Sequence, residues 1–168
     1  MKIGIDCYTS KETINHLGLT GHRLNVIADQ VPVSIGNFKI VPFFVPHNLP
    51  NLGFLISHPE TGKILFATDC AYIPHKFVGL SSIMLEINYE DSILTSERAV
   101  GCHLSLDTAL SFLRANDLSR VHSIVLLHLS ASNSNEKQFI KAVQAVAPNC
   151  KVIAADKGIS IELNRNPF

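Results

Sequence analysis

The sequence lacks the features that mark several common classes of protein. Its 168 residues include no tryptophan, two methionines and four cysteines, and no two cysteines have the CxxC spacing of zinc or thiol redox motifs. Scattered cysteines are typical of core residues in a reducing compartment, so we expect no disulfide framework and a cytoplasmic location. The longest apolar runs, 40–45 and 123–127, are far too short to span a bilayer, and the first residues contain no signal-like apolar segment.

Net charge is also missing. The sequence has 14 Lys and Arg residues and 14 Asp and Glu residues, so its formal charge is zero. This balance gives no support to a nucleic-acid or membrane partner, although it leaves room for a local basic groove. Because hydrophobic residues make up 46% of the chain and charged residues 17%, the composition predicts one globular domain, residues 1–168, with a substantial core.

Strand and helix signals predict an α/β protein. Cap patterns predict helices after Ser10, after Ser105 and at an Asn133–Glu136 capping box, and a weaker amphipathic pattern predicts one at 90–99. Gly62 suits the turn of a hairpin between two strands. We expect an α/β sandwich with helices outside. The predicted strands cover residues 2–8, 24–28, 38–45, 51–57, 63–67, 82–87, 121–127, 151–155 and 158–163.

Four histidine or aspartate residues lie where apolar runs end. His47, Asp69 and His128 each follow a predicted strand, and His103 precedes the helix cap at Ser105. Because strand ends present side chains at the rim of a sheet, these residues are candidate ligands of a divalent transition metal. Taken singly, each residue also has a simpler structural interpretation. A histidine can be hydrogen-bonded to the backbone, and an aspartate can cap a helix or form a salt bridge.

These positions belong to motifs that follow one another in a recognisable order. The motifs are Val45-Pro46-His47 with Asn51-Leu52-Gly53-Phe54, Phe66-Ala67-Thr68-Asp69, Leu85-Glu86-Ile87-Asn88-Tyr89, Gly101-Cys102-His103-Leu104-Ser105, and Leu126-Leu127-His128-Leu129-Ser130. Their order resembles the metallo-β-lactamase fold, in the metal-dependent hydrolase branch that includes nucleic-acid phosphodiesterases and tRNA-processing endonucleases. The resemblance covers nearly the whole chain.

The resemblance implies roles for four residues. His47, Asp69 and His128 would be metal ligands, with Asp69 as the carboxylate able to bridge two ions. His103 would be the proton-transfer histidine on the substrate side and therefore the catalytic residue. The cofactor would be zinc or another divalent transition metal, such as manganese or iron.

One motif of that family, His-x-His-x-Asp-His, occurs nowhere in the 168 residues. In relatives it precedes the segment that starts here near Met1. The resemblance therefore implies a partial αββα fold that lacks N-terminal strands, with too few ligands to hold metal stoichiometrically. Missing strands would leave an apolar sheet edge exposed, so we expect a homo-oligomer or a separate N-terminal subunit to cover it.

Three functions are consistent with these residues. The first is a metal-dependent hydrolase, related to phosphodiester-cleaving enzymes, whose missing ligands come from a partner chain. The second is a truncated, non-catalytic binding or assembly module of the same fold. In the third, His47, Asp69 and His128, with or without His103, hold a single ion. The sequence alone does not decide whether this chain is itself an enzyme, and it names no substrate.

Overall fold

The computed structural model describes residues 4–92 and 101–164, and it contains one large sheet. Strands β1 (Cys7–Thr9) and β2 (Leu24–Val26) form a separate two-stranded parallel sheet. Helices with bounds inside the described ranges are α1 (Lys11–Leu17), α2 (Leu106–Ala115) and α3 (Glu136–Val146). The large sheet contains β3 (Val33–Ile35), β4 (Phe38–Val45), β5 (Asn51–His58), β6 (Gly62–Ala67), β7 (Leu80–Glu86), β8 (Ser123–Leu127) and β9 (Lys151–Ala154).

The seven strands lie side by side in their sequence order, from β3 to β9. The pairs from β3 to β6 are antiparallel, and the pairs from β6 to β9 are parallel. Since β4 and β6 are both antiparallel to β5, they run in the same direction. The carboxyl ends of β4, β6, β7 and β8 therefore point to one edge of the sheet, which fixes the position of the site described below.

The main core lies between the sheet and its two longer helices. Every buried side chain of α2 and α3 belongs to one hydrophobic cluster, together with side chains from one face of the sheet. Helix α1 has no buried residue. The members contributed by β6, β7 and β8 are Leu65, Ala67, Leu80, Ile83, Leu85, Ile124 and Leu126.

The α/β class is confirmed, and the local sequence signals located most elements. The predicted strand 38–45 matches β4, the hairpin turns at Gly62 with φ 73°, and Ser10 and Ser105 each accept a hydrogen bond as N-caps. The predicted helix at 90–99 falls largely outside the described residues. No helix in the described part of the chain has the length and apolar character that crossing a membrane requires.

Three local predictions are wrong. Residues 158–163 form no strand, because β9 ends the sheet and no neighbouring strand pairs with this segment. Asn135, rather than Asn133, is the N-cap of α3, since its side chain accepts the hydrogen bond from the backbone of Gln138. The first strand begins at Cys7 and is shorter than predicted, and β3 carried no signal that we recognised.

Candidate metal centre

Four strands that run in the same direction deliver polar groups to one edge of the sheet. His47 lies two residues after β4, and Asp69 lies two residues after β6. Glu86 is the last residue of β7, and His128 directly follows β8. The edge at which these strands end is thus lined by imidazole and carboxylate groups, as the strand-end positions predicted.

Asp69, Glu86, His103 and His128 form a compact cluster. One potential ligand atom from each lies within 4.8 Å of all the others. His128 Nδ1 lies 3.3 Å from Asp69 Oδ1 and 3.1 Å from Glu86 Oε1, and His103 Nδ1 lies 2.7 Å from the same Glu86 oxygen. Ligand atoms about 2.1 Å from a tetrahedral ion lie about 3.4 Å apart, so the Asp69–His128 spacing fits a shared transition metal.

His103 reaches the cluster by a different path. The segment before α2 runs alongside the extension of β7, where Asn88 N donates to Leu104 O over 2.8 Å and Leu106 N donates to Tyr89 O over 2.9 Å. This pairing places His103 beside Glu86, to which its Nδ1–H donates a hydrogen bond. The other ring nitrogen, Nε2, is left with a free lone pair, as is typical of a histidine that binds metal or transfers a proton.

His47 lies next to the cluster but outside it. Its Nδ1–H donates to the carbonyl of Cys102 over 2.7 Å, and its ring centroid lies 5.4 Å from that of His103. The separation follows from topology, since β5 lies between β4 and β6 and two strand spacings amount to about 10 Å. The structure thus brings Asp69, His103 and His128 together, whereas His47 shares with Asp69 a cavity of about 290 Å³.

Two residues of the cluster adopt a strained backbone conformation. Asp69 has φ 54° and His128 has φ 53°, in the left-handed region that non-glycine residues seldom occupy. Their carbonyl groups are held by side-chain amides, because Asn51 Nδ2 donates to Asp69 O and Asn88 Nδ2 donates to His128 O, each over 2.8 Å. Such strain is maintained by its surroundings and concentrates at functional sites.

Glu86 is the site residue to which the sequence analysis gave no role. Its side chain is fully buried, and burial raises the pKa of its carboxyl group to about 7, although hydrogen bonding from Cys70 N opposes the shift. The signal was present in the sequence, because Glu86 ends an apolar strand in the same way as Asp69 does. A carboxylate buried at the end of an apolar strand needs partners that offset the cost of its burial, which is itself a sign of a functional site.

No protein-family model matches the chain, and no curated protein matches it by sequence. Solved structures do match. The metallo-β-lactamase fold protein YhfI from Bacillus subtilis superposes with a TM-score of 0.67 at 14% identity over 90% of this chain. The chain spans 61% of the length of that protein.

Two other solved structures carry names that state an activity. The human tRNase Z, short form, matches with a TM-score of 0.55 and 17% identity, covering 93% of this chain and 66% of that one. A putative zinc-dependent hydrolase of the metallo-β-lactamase superfamily from Thermotoga maritima matches with a TM-score of 0.53 and 13% identity, covering 78% and 71%. The strand order, the polar edge and these matches together show that this chain has the metallo-β-lactamase fold.

Proposed function

We propose that this chain is a metal-dependent hydrolase that cleaves phosphodiesters. In this proposal Asp69, His128 and His47 hold the metal, and His103 transfers a proton to the substrate. The observation that carries the proposal is the convergence of Asp69, Glu86, His103 and His128, from distant parts of the chain, within 4.8 Å.

The chemistry of the donor atoms favours a transition metal. Imidazole nitrogen and carboxylate oxygen suit zinc, manganese and iron, whereas calcium and magnesium prefer oxygen alone. Cys70, whose thiol pKa burial raises to about 12, is not among the four residues whose potential ligand atoms converge. A divalent ion held here would polarise a phosphoryl oxygen and make water a better nucleophile.

Three residues of the chain would supply negative charge, orient the catalytic ring and transfer a proton. Asp69 supplies negative charge and two oxygens at the mouth of the site, where 43% of its side chain is exposed. Glu86 accepts the Nδ1–H of His103 and so fixes the tautomer and orientation of that ring. After Nε2 has taken up a proton, so that both ring nitrogens are protonated, His103 can donate that proton to a leaving oxygen, which is general acid catalysis.

Two considerations support the substrate class and the need for a partner. Among the similar folds, one is named a tRNase and another a zinc-dependent hydrolase. Because a fold hosts many reactions, these names support phosphodiesters by analogy. Two firm ligands, Asp69 and His128, are fewer than the three that catalytic zinc sites usually have, so we propose that His47 or a partner chain completes the set.

Elemental analysis of the purified chain, after loading with zinc or manganese and removal of free metal, tests the proposal. We expect Asp69→Asn to lose the most metal and His128→Ala nearly as much. His103→Ala should keep its metal but lose hydrolysis of a dinucleoside monophosphate, whose alkoxide leaving group needs a proton, by at least about a hundredfold. His58→Ala is the matched control, because His58 stacks on Phe38 far from the cluster.

Two results would contradict the proposal. Well under one equivalent of metal in the wild-type chain would favour the non-catalytic module instead. If His103→Ala lost as much metal as Asp69→Asn, His103 would be a ligand and our assignment of the proton donor would be wrong.

A further inference from the structure

A second polar site lies at the edge of the large sheet where β6, β7 and β8 begin. It is a cavity of about 620 Å³, and its basic residues are Lys63, Arg120 and His122. None of the described residues that line it is acidic. The candidate metal centre lies where the same strands end, and the seven residues of β7 separate the two sites by roughly 20 Å.

Hydrogen bonds at the start of the three strands hold the walls of this cavity together. His122 N donates to the carbonyl of the buried Ser81 over 3.0 Å, and Lys63 N donates to Ser81 Oγ over 3.4 Å. Lys63 Nζ donates to the carbonyl of Val78 over 3.1 Å. The Lys63 ammonium group is thus held against the segment before β7, while the backbone beneath the basic side chains is fixed by strand pairing.

Two buried polar atoms at this end of the sheet lack a hydrogen-bond partner among the described residues. They are Thr61 Oγ1 and His122 Nε2. His122 lines the cavity, and Thr61 precedes Gly62, which also lines it. Because native proteins rarely leave buried polar side-chain atoms unpaired, the missing partners point to a ligand at this site.

We propose that this cavity binds a phosphate group, carried either by inorganic phosphate or by a small phosphorylated molecule. The guanidinium of Arg120 presents a fork of donors that matches phosphate oxygens, and Lys63 supplies a second positive charge. His122 Nε2 would donate to a third oxygen and so gain the partner that it lacks. The volume of the cavity is typical of sites for small molecules.

This phosphate cavity is independent of the proposed hydrolase activity. Its basic residues do not belong to the cluster of potential metal ligands, and the two sites lie at opposite ends of the same strands. Phosphate binding here can therefore fail while the hydrolase stands, and the reverse is also true.

Isothermal titration calorimetry of the full chain tests the proposal. A chelator first removes metal, so that phosphate cannot bind an ion at the candidate metal centre, and chloride keeps the ionic strength constant. We expect inorganic phosphate or uridine monophosphate to bind with a dissociation constant on the order of 1 mM or below. Tighter binding of the nucleotide would identify a small phosphorylated molecule as the ligand, whereas tighter binding of inorganic phosphate would identify the free ion.

Variants at exposed positions locate the binding. Lys63→Gln and Arg120→Gln should each raise the dissociation constant by about tenfold, because each removes a charged donor. Lys137→Gln is the matched control, since it removes the same charge from the first turn of α3, outside the cavity. Val78→Glu should weaken binding more than Val78→Gln, because the two side chains have the same size and only the first repels an anion.

His122 provides a separate test of the unpaired nitrogen. His122→Phe keeps a ring of similar shape without Nε2, so it should weaken phosphate binding while leaving the stability of the phosphate-free chain unchanged or higher. Nitrogen-15 NMR of histidine-labelled protein, in which this variant assigns the signal, should show that phosphate shifts the His122 Nε2 resonance.

Two outcomes would overturn the proposal. One is the absence of both heat and a His122 shift with either ligand at about 10 mM, well above the expected dissociation constant. The other is binding that stays as tight in Lys63→Gln and Arg120→Gln as in the wild type, which would place the anion elsewhere. Circular dichroism confirms that these variants are folded.

Discussion

At the scale of single residues, the electrostatics of the centre depend on Glu86. It is a fully buried carboxyl group that accepts hydrogen bonds from Cys70 N and His103 Nδ1 and contacts His128 Nδ1. These contacts offset only part of the cost of burial, because the net effect on its pKa is a rise to about 7. Without a metal ion, an ionised Glu86 therefore destabilises the folded chain.

This rise predicts a pH dependence of stability. The carboxyl of Glu86 has a pKa of 4.5 when unperturbed and about 7 in the folded chain, so between these values the folded state binds more protons than the unfolded state. The contribution of Glu86 to the free energy of unfolding is therefore complete below the lower value, and up to about 3 kcal/mol is lost as the pH rises through the upper one. Urea denaturation of the metal-free protein at pH 5 and pH 8 measures the loss.

Glu86→Gln isolates this contribution, because the amide keeps an acceptor for Cys70 N but cannot ionise. We expect the variant to lose less stability than the wild type between the two pH values. Parallel pH profiles for the two proteins would show that Glu86 does not titrate in this range.

The sequence identified the residues of the site better than their arrangement. His128 could be predicted because it directly follows an apolar strand, Asp69 because it lies two residues after one, and His103 because it precedes a helix cap. The distance of His47 from them could not be predicted, since it depends on β5 lying between β4 and β6, a property of strand order. Glu86 was overlooked, although a carboxylate at the end of a buried strand carries the same signal.

At the scale of secondary structure elements, helix starts and turns could be predicted from local residues, whereas strands depend on a partner elsewhere in the chain. Ser10 and Ser105 specify helix starts through their own side chains, and Gly62 specifies a turn through its positive φ, so these elements follow from a few adjacent residues. Whether an alternating segment forms a strand depends on a neighbour to pair with. Residues 158–163 have the pattern of a strand but lack the partner, and they therefore form none.

The pairing of β4 with β5 places Gly53 directly opposite Phe43. We therefore expect alanine to destabilise the fold at position 53 but not at a glycine that has open space around it. A Cβ at Gly53 would lie 2.6 Å from Phe43 Cε2 and closer still to Cζ. Phe43 is buried and its ring contacts that of Phe77 in a tilted arrangement with centroids 4.9 Å apart, so it has little room to move. We expect Gly53→Ala to lower the free energy of unfolding by about 2 kcal/mol or more, measured by urea denaturation.

Gly101→Ala is the control, because an added Cβ there meets nothing within 4 Å. Adding Phe43→Leu to Gly53→Ala should cost less than the sum of the two single changes, since the smaller side chain removes the clash. Simple additivity would mean that the contact between these residues does not limit stability.

At the scale of the whole molecule, the candidate metal centre lies at one edge of a sheet whose main core is on one face only. The groups of the centre come from β6, β7, β8 and the segment before α2, which are far apart in sequence. An ion shared by these groups would connect the strands at the edge where their pairing ends. Because the unfolded chain has no such site, metal binding must also stabilise the fold.

This linkage predicts the thermal stability of the whole chain. At free zinc about one hundred times the dissociation constant, binding contributes about 2.7 kcal/mol, which for a domain of this size is a rise in Tm of roughly 8 °C. Differential scanning calorimetry with and without zinc measures it. Asp69→Asn should lose most of the rise, and calcium should produce none in the wild type, since calcium prefers ligand sets made of oxygen. If zinc raised the Tm of Asp69→Asn as much as that of the wild type, the ion would bind elsewhere and the cluster at the strand ends would not be the metal centre.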